Sequence, residues 1–430
     1  MNVMHLTVHM GGGVGKAISD TLIGERKISA DVHNIYCLER PVNEQYVKKC
    51  QESGIAVEYA SFITDVSEAI SNADIVILHW WNHPAMAKLL LNFPQIETRV
   101  VFWIHVSGCT YPKLPFSLIN YMEHTIFTTP YTYQNPYWNK KEQEIARKKA
   151  SVVYGLGQLK NIGKKEDYDL NGDFVIGYVG TINTMKIHPD IVLYCEEVKR
   201  EIPNARFVFV GENQLDAENL DKMRKSGLLS CIEFTGHVKN VEIELKKFDV
   251  FGYPLNPYHY GSTENALLEP MAAGIPVVVL SHGAESYIVK NEFNGLLAND
   301  CHEYACCMKR LWQSKELRSK VGNNAAYTIR TEYNLDENIK RLNMILSKGR
   351  ITASRKYDFC EVFGRAPEEY FLTCVGRERE IFLNNLSRFN NYKLPDILRG
   401  SSKGSIQQFA KYFPENKTFN TWRDALNGVF

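Results

Sequence analysis

The sequence has no excess of charge of either sign. Fifty lysines and arginines stand against forty-nine aspartates and glutamates in 430 residues, a formal net charge of +1. A chain held to nucleic acid by phosphate contacts needs a basic balance, so that class is excluded. Long hydrophobic runs are missing as well: no stretch approaches the ~20 apolar residues that span a bilayer. The first ten residues, MNVMHLTVHM, have neither the basic region nor the apolar core of a secretory leader. The ten cysteines show no CxxC spacing, which argues against structural zinc. Scattered in a long chain without a leader, they are expected as reduced thiols of a cytoplasmic protein, with peripheral contact at the inner membrane face left open. Internal repeats and low-complexity tracts are lacking. So is a complete phosphate-loop motif. In Gly11-Gly12-Gly13-Val14-Gly15-Lys16, Gly11 stands one residue too close to Gly15, and Ala17 replaces the hydroxyl that would hold magnesium.

What is present is a repeating alternation of short apolar runs and helical stretches. Residues 4–9, 35–38, 75–79, 100–105 and 126–128 read as strands, with helical patterns at 66–71 and 84–91 and a helix starting near Ala17. A second series of strands follows at 174–180, 206–211, 232–235, 249–254, 277–280 and 295–297, with a helix over 302–312. Short strands separated by helices predict parallel, doubly wound sheets. The expected organisation is an N-terminal Rossmann-like domain over 1–160, a charged linker over 161–172 and a C-terminal Rossmann-like domain over 173–350. A helical extension over 351–430 has amphipathic helices at 405–412 and 419–426, and is expected to pack back on the core. A chain of this length supports such a division. The linker holds Asp167-Tyr168-Asp169, an acidic triplet whose place outside any strand end argues against a metal site. The aromatic residues Trp80, Trp81, Trp103, Tyr111, Tyr131, Tyr133, Tyr137 and Trp138 are read as core side chains, although flat rings also stack on sugars.

The richest stretch is FDVFGYPLNPYHYGSTENALLEPMAAGIPVV, residues 248–278. A strand runs into a polar loop, then a helix with apolar Ala266, Leu267, Met271 and Ala272, which Gly274 and Pro276 stop before another strand. Ser262 or Thr263 is expected to cap that helix. A capped helix start offers unpaired N–H groups and a positive dipole end, a natural seat for phosphate. Glu269, about one and a half turns in, is placed to accept the hydroxyls of a ribose.

These residues resemble the donor-site signature of retaining glycosyltransferases of the GT-B class, family 4 especially. Asp249-Val250-Phe251, Leu268-Glu269-Pro270-Met271-Ala272-Ala273-Gly274 and Ile275-Pro276-Val277-Val278 follow that signature. The family's first glutamate, eight residues before Glu269, is replaced by Gly261, and the nearest acid is Glu264. The resemblance implies an α/β fold of GT-B type that transfers a sugar from a UDP-, GDP- or other nucleotide-sugar, with retention and without metal or other cofactor. The acceptor, which would enter against the N-terminal domain, is left open among saccharide, lipid-linked sugar, protein and small metabolite.

The same resemblance distributes roles. Gly12, Gly13 and Gly15 lie in a glycine loop near the donor diphosphate. The segment 177–182 with Lys186 resembles the family's Gly-Arg-Leu…Lys run, with Thr181 in place of the arginine. Lys186 then remains to stabilise the leaving diphosphate, together with helix-start amides over Ser262, Thr263, Asn265 and Ala266. Glu269 takes the ribose, and Val238, in a segment like Phe234-Thr235-Gly236-His237-Val238 of the family, lies beside the base. His105, ending the strand Val101-Phe102-Trp103-Ile104, faces the donor sugar; His79 is a weaker candidate of the same kind. Glu264 is the acid available to do the work of the missing glutamate. Two other classes fit the same architecture: a sugar-nucleotide epimerase, and a non-catalytic nucleotide-sugar-binding scaffold that would tolerate Gly261 and Thr181.

Overall fold

The computed structural model describes residues 1–60, 63–165, 172–383, 398, 400 and 404–427. Residues 167–169 and part of the loop 399–405 therefore lie outside the described residues. The chain divides into two compact units. One comprises Met1–Gly157, Tyr260–Thr263 and Leu335–Phe430; the other comprises Gln158–His259 and Glu264–Asn334.

The first unit is built on seven parallel strands: β1 Asn2–Thr7, β2 Val32–Cys37, β3 Ala56–Tyr59, β4 Ile75–Trp80, β5 Val100–Ile104, β6 Thr125–Phe127 and β7 Ala150–Val152. Their spatial order is β3-β2-β1-β4-β5-β6-β7, so the winding reverses between β1 and β4. A run such as Val100–Ile104 is apolar throughout because parallel strands bury both faces. Alternation then sorts their side chains. Met4, Leu6, Val76, Leu78, Trp80, Phe102 and Ile104 face one way, into a core shared with Tyr357, Phe359, Tyr370, Phe371, Phe409, Phe419 and Trp422. Val3, Ile75, Ile77, Val101, Trp103 and Ile126 face the other way, onto Leu342, Ile345 and Leu346.

Two sequence expectations change here. The sequence carries the second domain to residue 350, but the helix Leu335–Ile351 lays its apolar stripe on the second face of the first sheet and belongs to the first unit. Helix α1 runs from Gly12 to Glu25 instead of starting near Ala17. The glycines are its first turn, with the Gly15 N–H donating to the Gly11 carbonyl at 3.1 Å. Gly15 has to be glycine, since a Cβ there would sit 2.4 Å from the Met10 carbonyl oxygen. The C-terminal segment packs back on the first unit as expected. Trp80 Nε1 donates to the Tyr370 hydroxyl at 2.9 Å, across 290 residues of chain.

The second unit holds six parallel strands: β8 Phe174–Val179, β9 Ala205–Val210, β10 Ile232–Gly236, β11 Val250–Tyr253, β12 Val277–Leu280 and β13 Leu296–Ala298. Their order is β10-β9-β8-β11-β12-β13, with the reversal between β8 and β11. Gly177 in β8 admits the Phe248 ring, which a Cβ would meet at 2.1 Å. The helix Asn265–Ala272 ends on Gly274, whose φ of 73° lets the chain turn back into β12. Among the described residues no helix is long and apolar enough to cross a membrane. All ten cysteines are free thiols.

Candidate functional site

In open α/β sheets ligands collect outside the carboxyl ends of strands where the winding reverses. In the second unit that place follows β8 and β11, and the polar residues gather there. β11 ends on Tyr253, whose buried hydroxyl donates to Glu264 Oε2 at 2.7 Å. Lys186 Nζ donates to the same oxygen at 2.6 Å. His259 Nε2 lies 3.6 Å from the other Glu264 oxygen and 3.3 Å from Glu285 Oε1. Its Nδ1 is 2.6 Å from the Asn256 carbonyl oxygen, which it can only donate to. Two carboxylates, an ammonium and an imidazole thus share one buried cluster.

The charges of this cluster hold one another in place. Burial alone would raise the Glu264 carboxyl, but Lys186 and His259 keep it well below the usual carboxylate range. Burial alone would lower His259; the Glu285 and Glu264 carboxylates outweigh it and, against Lys186, lift its pKa to about 9. Tyr253 is pushed well above the ordinary phenol value by burial and by the Glu264 charge. Opposite charges set side by side are how ionised groups survive away from water.

Glu264 also sets the backbone. It is the residue flanking the helix Asn265–Ala272 and adopts a left-handed conformation, φ 51° and ψ 57°, with no side-chain cap. This corrects the expectation that Ser262 or Thr263 caps the helix. Their hydroxyls are used within the first unit: Ser262 Oγ donates to the His105 carbonyl at 3.3 Å. Thr263 Oγ1 donates to the Thr128 carbonyl and accepts the Gly155 N–H, both at 2.8 Å. Positive φ at a non-glycine residue stores strain, and such strain concentrates at functional positions.

The other predicted residues of this unit lie around the same strand ends. Asn265 and Ala266 form the first turn of the helix and Glu269 its second, all half-buried. Thr181 is exposed just after β8, with its carbonyl accepting the Tyr178 hydroxyl at 2.8 Å. Val238 follows the end of β10 and is half-buried. In the first unit, Gly12 and Gly13 begin α1 with open space where a Cβ would stand, whereas Gly15 is packed against backbone. His105 follows β5, half-buried, with its ring stacked on His79 and Trp103. Burial lowers its pKa to about 3, so the ring is neutral. Trp80, Trp81, Trp103, Tyr111 and Trp138 are buried core residues.

Tyr253, His259 and Glu285 were not singled out from the sequence. The available signal was a polar side chain, Tyr253, ending an otherwise apolar strand. His259, His282 and Glu285 also bring potential ligand atoms within 4.8 Å of one another. Two of the three, His259 and Glu285, face each other within the ion cluster at 3.3 Å. A cavity of about 300 Å³ lies elsewhere in the first unit, against Asn2, Tyr36, Glu58 and Glu68, and touches none of the predicted residues.

Comparison with known proteins agrees with this geometry. Residues 173–314 match the family model described as Glycosyl transferases group 1. The chain is 26% identical over 161 residues to the amylovoran biosynthesis glycosyltransferase AmsK of Erwinia amylovora, covering 36% of this chain and 40% of that one. It is 28% identical over 121 residues to the Vi polysaccharide biosynthesis protein VipC/TviE of Salmonella typhi, covering 26% and 20%. The chain thus spans less than half the length of these relatives. Among solved structures, HepE of Anabaena in complex with UDP-glucose superposes with a TM-score of 0.64 at 14% identity, over 81% of this chain and all of that one. TarM superposes with a TM-score of 0.65 at 10% identity, over 82% and 99%. The fold is that of the GT-B glycosyltransferases.

Proposed function

We propose that this chain, a GT-B fold whose residues 173–314 match the group 1 glycosyl transferases, moves a sugar from a nucleotide-diphosphate-sugar to a saccharide acceptor. The reading extends to retention of configuration, to independence of metal and to action on the cytoplasmic side. The observation that carries it is the Lys186–Glu264–His259 cluster at the carboxyl end of β11, beside the start of the helix Asn265–Ala272. The positive dipole end of that helix start suits a diphosphate. Lys186 is the cation at hand for the charge that grows on the leaving group, and Glu264 is its counter-ion before the donor arrives. Tyr253 and His259 hold Glu264 so that the ammonium stays beside the helix start. Glu269, a turn further on, suits the ribose hydroxyls, and His105 the donor sugar. A saccharide acceptor is favoured because one curated relative is named for Vi polysaccharide biosynthesis.

The test is calorimetric titration with UDP and GDP, followed by release of nucleoside diphosphate from UDP- and GDP-sugars with and without oligosaccharide acceptors. Glu269→Ala should weaken nucleoside diphosphate binding by about 1.5–3 kcal/mol, the range for a hydrogen bond to a charged group. Turnover should persist in excess EDTA. Unchanged affinity in Glu269→Ala would sink the donor site, and activity lost to EDTA and restored by manganese would sink metal independence. Sugar interconversion without any acceptor would make the chain an epimerase.

A further inference from the structure

Four histidines cross the first sheet on one diagonal. His33 of β2 is in register with Val3 of β1, and His5 stands two residues further along β1. His5 is in register with Ile77 of β4, and His79 stands two further along β4. His79 is in register with Trp103 of β5, and His105 stands two further again. A step of two keeps every ring on the same face of the sheet. The rings therefore meet in series, at centroid distances of 5.1, 5.2 and 5.2 Å. His5 Nε2 is 2.8 Å from His33 Nδ1, His79 Nε2 is 2.9 Å from His5 Nδ1, and His105 Nε2 is 2.9 Å from His79 Nδ1. At the far end Glu25, the last residue of α1, lies 3.0 Å from His33 Nε2, a close contact at less than straight hydrogen-bond geometry.

A neutral imidazole has one N–H and one lone pair. Burial lowers the pKa of His5, His79 and His105, so these rings are neutral. With His33 neutral as well, the three inter-ring bonds can be satisfied in only two ways, with every proton on Nε2 or every proton on Nδ1; a doubly protonated His33 would donate from both nitrogens and impose the Nδ1–H form on the other three. A carboxylate accepts and cannot donate, so Glu25 requires the proton of His33 on Nε2. That choice propagates. His33 Nδ1 accepts from His5, His5 Nδ1 from His79, and His79 Nδ1 from His105.

We propose that Glu25, through His33, His5 and His79, fixes His105 as the Nε2–H tautomer, leaving its Nδ1 lone pair to accept a hydrogen bond from a hydroxyl of the donor sugar. The four upstream groups are positioning residues. Glu25 is fully buried at the carboxyl end of a helix, where the dipole disfavours an anion and no basic residue occupies the last turn. His5, His33 and His79 are buried, and His105 is the one ring of the four that is partly exposed, so the series opens at the residue assigned to the substrate. The contact with a sugar rests on the proposed transferase function; the tautomer does not.

The experiment is multiple-bond ¹H–¹⁵N correlation NMR on the full chain labelled at histidine, without substrate, with His105 identified by its loss in His105→Asn. All four rings are expected as Nε2–H, and a wild-type His105 protonated on Nδ1 would overturn the proposal. In Glu25→Leu the His105 signal should move to a mixture of the two tautomers or to the reverse form, and an unchanged signal would overturn it. If Glu25→Leu does not fold, His5→Phe interrupts the series at its centre and must move the His105 signal in the same way. Transfer by the variant should fall about tenfold, as for one lost hydrogen bond. A changed tautomer with full transfer would support the series and overturn the sugar contact of His105, which separates the two readings.

Discussion

At the residue scale, the departures from the family pattern converge on two side chains that hold each other. Lys186 and Glu264 are 2.6 Å apart, and Glu264 is the deeper of the two. If Lys186 stabilises the leaving diphosphate, Lys186→Ala should lower kcat by roughly 10²–10³, with a smaller loss of ground-state affinity, because the charge grows toward the transition state. Steady-state kinetics with the best donor found would read both. Glu264→Gln keeps the shape but removes the charge that balances Lys186 and His259. Turnover should collapse if the acid acts on the donor and stay within a few-fold if it only anchors Lys186. Should both variants transfer sugar normally, the catalytic centre lies elsewhere. The cluster also predicts a pH response. His259 is raised from an ordinary 6.5 to about 9, so its charged form stabilises the fold fully below pH ~6.5, and that contribution is lost as pH rises through about 9. Thermal melts should show wild type losing stability between neutral pH and about pH 10, and His259→Asn losing less over the same interval.

At the scale of elements, the sequence reveals the strands and hides what joins them. Continuous apolar runs placed β4, β5, β11 and β12 within a residue or two, because burial on both faces leaves little choice of side chain. The sequence starts α1 five residues late, since a glycine run reads as loop, whereas Gly15 lets the first helical turn lie against the Met10 carbonyl. That role predicts a sharp contrast. Gly15→Ala should destabilise by about 1–3 kcal/mol, the usual cost of forcing atoms into a packed site, whereas Gly13→Ala, open to solvent, should change the denaturant midpoint hardly at all. The helix after β11 was found, but its entry was not. Capping propensity pointed to Ser262 or Thr263, whose hydroxyls are taken by the His105 and Thr128 carbonyls, and only tertiary partners decide such a competition. The histidine series was illegible for the same reason: His5, His33, His79 and His105 become neighbours only once strand register is known.

At the scale of the whole molecule, the first unit is closed by the end of the chain. Helix Leu335–Ile351 covers one face of its sheet, and aromatic residues from Tyr357 to Trp422 fill the core on the other. Tyr370→Phe removes the partner of the buried Trp80 indole and should cost about 1–3 kcal/mol, read by equilibrium unfolding. Truncation before residue 352 should leave Trp80, Phe102 and Leu118 without cover and yield aggregated protein. Residues 335–350 fall in the first unit, which the sequence does not reveal: an amphipathic helix declares that it has a partner and not which sheet that partner is. The split of the first unit between the two ends of the chain also sets an order in time. Domains usually finish folding in the order they leave the ribosome. Here residues 158–334 can complete their sheet while the earlier 157 residues still await their lid, so the segment made first would be the one finished last and the longest exposed to chaperones.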